Sequence, residues 1–147
     1  MRTILFLMIT VFATATMYAQ TEKEGDALMG KWLSEGGKGE ILIVKNAEKY
    51  YGKMVWLKEP NDKNGKPKLD TKNPDEKLKS KPIVGMWMLK DFNYSGKNVW
   101  EDGTIYDPES GKTYSCKVTL LANGNLEVRG YVGISAFGKT TVWTRKK

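Results

Sequence analysis

Gly30-Lys31-Trp32 and Trp143-Thr144-Arg145 decide the fold. Between them runs a succession of about eight short segments with strand character, separated by glycine- and asparagine-bearing turns. A Gly-x-Trp on the first strand and an arginine at the end of the last suit one arrangement. If the last strand returns to the first, the guanidinium of Arg145 can stack on the Trp32 ring as a cation–π staple. The bracket therefore predicts an all-β, single, antiparallel, eight-stranded up-and-down barrel, not an open sheet. A barrel of about eight strands has an interior wide enough for one small ligand.

Working inward from the bracket, the strands read Gly30–Leu33, Glu40–Lys45, Lys49–Leu57, Ile83–Phe92, Asn98–Tyr106, Lys112–Leu121, Asn125–Val132 and Lys139–Arg145. The sixth alternates most cleanly. Tyr114, Cys116, Val118 and Leu120 share one face, and Thr113, Ser115, Lys117 and Thr119 the other. Gly36-Gly37, Asn93–Lys97, Asp107-Pro108 and Asn123-Gly124 supply turns, and Asp102-Gly103 predicts a bend. Short links after the fourth strand imply antiparallel neighbours. One long polar insert, Lys58–Lys81, separates strands three and four. Such a length suggests a lid over the barrel mouth or a solvated excursion. Within it Asn73-Pro74-Asp75-Glu76 has the form of a helix start, predicting one or two helical turns over Pro74–Ser80. Asp62-Lys63-Asn64-Gly65 lacks the spacing of a calcium loop and reads as a turn.

The 147 residues favour one domain, 20–147. Residues 1–19 have the layout of a secretory signal peptide. Arg2 precedes the apolar run Ile4–Phe12, and small residues lead to cleavage after Ala19, with Ala15 as the alternative. Export to the periplasm or beyond is the expectation, with no transmembrane segment after cleavage. The formal charge of +7 falls to +6 without Arg2. Because the lysines are spread along an exported chain, nucleic acid is not the expected partner. An anionic membrane surface would attract this charge. Histidine is absent, which removes the usual general base and the commonest metal ligand. No catalytic residue, metal or cofactor is expected. Cys116, the single cysteine, reads as a small buried hydrophobe.

The order of Gly30-Lys31-Trp32, Tyr51-Gly52-Lys53-Met54-Val55-Trp56, Asp70-Thr71-Lys72-Asn73-Pro74-Asp75 and Pro82-Ile83-Val84-Gly85 resembles a known family. Trp100–Pro108, Gly111–Tyr114, Val128–Gly133 and Gly138–Arg145 continue the likeness over nearly all of the chain after residue 29. This is the exported bacterial family catalogued as domain of unknown function number 2147. The resemblance implies a signal peptide followed by one lipocalin-like (calycin-like) barrel, with no established activity. Lys81 departs from the family's arginine before Pro82, so a bidentate pairing there would be weaker.

Only two arginines follow residue 2, against 21 lysines, which suggests that Arg129 and Arg145 are used for their planar donors. Arg129 has two readings. If Leu126 and Val128 face the lumen, it lies outside and meets a carboxylate. If Gly130 marks a bulge, it turns inward and anchors an acidic headgroup. With Arg129, the candidate ligand contacts are Tyr131, Trp56, Trp87, Trp100, Tyr106 and Tyr114, aromatics of the kind that line pockets. The expected function is binding of a small apolar or amphipathic, lipid-like molecule. The alternatives are an envelope interaction module with a filled barrel, and a hydrolase using carboxylates such as Glu101, Asp102 or Asp107.

Overall fold

The computed structural model describes residues 15–21 and 23–147. The apolar run Ile4–Phe12, on which the signal-peptide reading rests, lies outside them. Eight strands form a closed barrel in chain order: β1 (Gly30–Leu33), β2 (Gly39–Asn46), β3 (Lys49–Leu57), β4 (Trp87–Gly96), β5 (Val99–Asp107), β6 (Lys112–Leu120), β7 (Leu126–Tyr131) and β8 (Gly138–Arg145). Every neighbouring pair is antiparallel, and Trp32↔Arg145 with Leu33↔Thr144 closes the ring. Among the described residues no helix is long and apolar enough to cross a membrane.

Alternation, with a register slip between Leu89 and Phe92, fills the lower half of the interior. Ile41 and Ile43 of β2, Tyr50 and Met54 of β3, Leu89 and Phe92 of β4, Cys116 and Val118 of β6, and Leu126 and Val128 of β7 are all buried inside. Glycines at inward positions make room for the large side chains. A Cβ on Gly103 would lie 2.4 Å from the Phe92 ring, and one on Gly52 would lie 2.8 Å from Leu89. Burial pushes the Cys116 thiol up to about 12, so it stays protonated and inert.

One end of the barrel is fastened shut by the segment that precedes β1. The Trp32 indole donates to the Leu28 carbonyl at 2.9 Å, and the Trp100 indole to Gly25 at 3.1 Å. The Arg145 guanidinium lies 4.1 Å from the Trp32 ring centroid and donates to the carbonyls of Met29 and Ala27. The Tyr50 hydroxyl donates to Asp26 at 2.7 Å, and Lys45 pairs with the same carboxylate. These partners hold the Asp26 carboxyl below its usual range, the Tyr50 hydrogen bond most strongly.

The other end carries the loops 34–38, 108–111 and 132–137 and the 58–86 insert. Three expectations are corrected here. The fourth strand begins at Trp87, because Pro82–Met86 belongs to the insert. There Ile83 N donates to Lys68 O, Leu69 bridges Pro82, and Gly85 N returns to Met54 O. That strand runs on to Gly96, and the turn is made by Lys97 and Asn98, both left-handed, in place of Asn93–Lys97. No helix forms over Pro74–Ser80, which is a chain of turns. Asn73 does not form the reciprocal box with Glu76. Its side chain donates to Asp70 and accepts from Asp75 N, while Glu76 pairs with Lys79.

Candidate functional site: a cavity at the barrel mouth

Above the filled half lies a cavity of about 520 Å³. Its inner wall comes from inward-facing residues of five strands: Met88 of β4, Ile105 of β5, Tyr114 of β6, Val128 and Gly130 of β7, and Lys139 and Thr141 of β8. The loops Asp107-Pro108 and Val132–Gly138, with Tyr131 beside them, complete the rim. Gly130 leaves space on the wall. A Cβ there would make ordinary contact with Ile105 and Tyr114 at 3.5 and 3.6 Å. The lining is chiefly apolar and aromatic, with Lys139 and Asp107 at the entrance. Lys139 makes no ion pair among the described residues.

A second cavity of about 650 Å³ lies between the insert and the outer face of the barrel near the same end. Leu78, Val84, Trp87 and Met86 give it an apolar side, and Lys81, Lys90 and Thr104 a polar one. Tyr106 and Met88 border both cavities. The Tyr106 hydroxyl donates to Asp70 at 2.6 Å, and the Asn73 amide donates to the second Asp70 oxygen at 2.7 Å. Asp70 is buried, so this contact fixes the insert to the end of β5. Burial and the neighbouring carboxylate hold the Tyr106 phenol well above its ordinary value. The Lys72 ammonium donates to Glu109 O, a second tie between the insert and the β5–β6 turn.

The structure separates the candidate ligand contacts. Tyr106, Tyr114 and Tyr131 meet at the first cavity, and Trp87 borders the second. Trp100 lies instead in the closed-end core, fully buried against Tyr50 and Tyr94. Trp56 is 43% exposed and borders neither cavity. An irregularity opposite Glu40/Ile41 sets Trp56 against Glu40, so the strand's alternation is broken just before it. A shift between Gly52 and Lys53 likewise puts Trp87 opposite Lys53, whose ammonium sits 5.3 Å from the indole.

Arg129 does not face the lumen. The β7–β8 register runs unbroken from Leu126↔Trp143 to Tyr131↔Gly138, so Gly130 marks no bulge. Nor does Arg129 meet a carboxylate. Its three donors reach Ser135 O, Ala136 O and the Thr140 hydroxyl, bracing the β7–β8 loop from outside.

The carboxylates do not converge. Glu101 pairs with Lys117 on the outer face, and Asp102 is exposed with positive φ. Asp107 accepts from Glu109 N and Ser110 in its own turn. The cavity residues that sequence reasoning missed are the aliphatic and small ones, Met88, Ile105, Val128 and Gly130. Period-two alternation marks Val128 and Gly130 as inward, but distinguishes core from cavity wall for neither.

Residues 30–145 match the model of a family described as an uncharacterized protein conserved in bacteria (DUF2147). A solved structure, described as "Protein HP1028 from the human pathogen Helicobacter pylori belongs to the lipocalin family", is similar with a TM-score of 0.72 and 26% identity. The likeness covers 82% of this chain and 83% of that one. No curated protein matches the chain.

Proposed function

Because the chain belongs to the DUF2147 family of bacterial proteins, a membership that names no activity, we propose its function from the barrel itself: it binds one small apolar or amphipathic, lipid-like molecule, without catalysis. The observation that carries this is the mouth cavity, walled by apolar and aromatic side chains above a solid, stapled base. About 520 Å³ falls within the usual range for small-molecule pockets. The described likeness of a lipocalin-family structure supports the same reading. The apolar part of the ligand would lie against Ile105, Tyr114, Val128 and Gly130, and an acidic end would meet Lys139. The chain acts after export, as its N-terminal sequence suggests. The envelope-module alternative assumed a filled barrel, and the space at the mouth favours ligand binding over it.

The test uses N-phenyl-1-naphthylamine, a fluorophore that brightens in apolar surroundings. Saturable binding at one site is expected, together with its near-complete loss in Gly130→Phe. Gly130 has ordinary backbone angles and space before it, so the new ring enters the cavity without straining the strand. Unchanged binding in a folded Gly130→Phe variant would remove the cavity from consideration. Native mass spectrometry of protein taken gently from a bacterial periplasm would then give the mass of any natural ligand.

A further inference from the structure

The β7–β8 loop has a composition unlike the rest of this lysine-rich surface. Val132-Gly133-Ile134-Ser135-Ala136-Phe137-Gly138 carries no charge. Its three large apolar side chains point to solvent, Val132 73%, Ile134 60% and Phe137 79% exposed. Elsewhere at this end Leu78, Val84 and Trp87 are only 39–43% exposed and gather around the second cavity, and an apolar side chain exposed singly needs no explanation. Three on one short loop do need one.

The backbone of this loop is also prepared for a dry environment. Phe137 N donates to Ile134 O, closing the turn. Arg129 reaches around from the outer face and donates to Ser135 O and Ala136 O. Carbonyls that would lose free energy on leaving water are thereby satisfied in advance. A guanidinium supplies this from one side chain, which an ammonium cannot do with the same fork.

Asp107 shares the cavity entrance, but the charge at this end of the barrel is positive in balance around the loop. Lys139 follows it directly. The insert at the same end of the barrel holds eight lysines against five carboxylates, and the whole chain is +7. Val132 and Phe137 belong to the rim of the mouth cavity, so whatever covers the loop also faces the entrance.

We propose that the 132–138 loop is a membrane-docking element: Val132, Ile134 and Phe137 enter the interface of an anionic bilayer, lysines at the same end contact its headgroups, and Arg129 holds the loop in shape. Apolar side chains at the tip with cations behind them are the combination that binds such interfaces. The docked orientation turns the cavity entrance toward the lipid. The proposal stands on the loop and its charge, and does not require the cavity to hold a ligand.

The experiment is cosedimentation of residues 20–147 with vesicles of phosphatidylcholine alone or mixed with phosphatidylglycerol. Binding is expected to the mixed vesicles, to weaken with salt, and to be absent or far weaker with phosphatidylcholine. Ile134→Ser is the decisive variant, because Ile134 is exposed and does not border the cavity. It is expected to raise the lipid concentration for half-binding about tenfold, while naphthylamine binding stays unchanged. Arg129→Lys keeps the charge and is expected to weaken docking in the same direction. Failure to bind mixed vesicles would overturn the proposal. So would full binding by Ile134→Ser, which would leave only charge, or a dimer in sedimentation that Ile134→Ser abolishes, which would make the loop a contact between copies. Loss of naphthylamine binding in the unaltered protein would count against the carrier reading and leave docking untouched.

Discussion

At the scale of single residues, two inward glycines of the same barrel have opposite meanings. A Cβ on Gly103 would lie 2.4 Å from the Phe92 ring, whereas one on Gly130, at the cavity wall, would make only ordinary contacts at 3.5 Å and beyond. Overpacking a filled interior costs about 1–3 kcal/mol, since ring and strand must both shift. Gly103→Ala is therefore expected to lower stability by about that amount, read as a lower urea midpoint with unchanged slope. Full stability would mean that the Phe92 ring has room to move aside. The sequence reading marked Gly103 as a bend, and the β5–β6 register does shift between Trp100 and Gly103. It could not tell that this glycine is also a packing partner. The same limit governed Trp56 and Trp87. Single-residue irregularities beside them invert the face that alternation assigns, and nothing in the local composition announces them.

At the scale of elements, the insert is the part that local sequence described least well. Its turn-forming Asp62 behaves as read, accepting from the amides of Asn64 and Lys66. The helix expected over Pro74–Ser80 does not form, although the Asn73 oxygen accepts from Asp75 N as a cap would; the Asn73 amide is held by buried Asp70. That contact is local, but Asp70 is itself held from 36 residues away, which a short window cannot reveal. The Tyr106 hydroxyl completes it from β5. Tyr106→Phe would leave one oxygen of a buried carboxylate without its donor, a loss of about 1–3 kcal/mol. Because the donor links two elements, the effect should be local. Hydrogen exchange at the Asp70 and Ile83 amides, bonded to Lys81 O and Lys68 O, is expected to quicken, with amides of β6 and β7 unchanged. Uniform quickening across the barrel would show instead that insert and barrel unfold as one unit.

At the scale of the whole molecule, the barrel divides its labour between its ends. The closed end was the most legible feature of the chain, since Trp32 and Arg145 are rare residue types at the two limits of a strand series. The mouth was far less legible, because its rim is made where two loops, Asp107-Pro108 and Val132–Gly138, meet in space. The division has a measurable consequence. Arg145 lies across the Trp32 ring and holds two carbonyls of the preceding segment, opposite the cavity. Arg145→Lys keeps the charge but loses the planar stacking and the fork. Each hydrogen bond to a charged donor contributes about 1.5–3 kcal/mol, and lysine recovers part of that. The variant is expected to melt lower by about 5–10 °C. Its affinity for N-phenyl-1-naphthylamine at temperatures well below melting should match that of the unaltered protein, because buried Trp143 of β8 and its partner Leu126 of β7 lie between Arg145 and the cavity-lining Thr141 and Val128. A fall in affinity alongside the lower Tm would show that the filled half transmits the loss of the staple to the mouth, and that the two ends do not work independently.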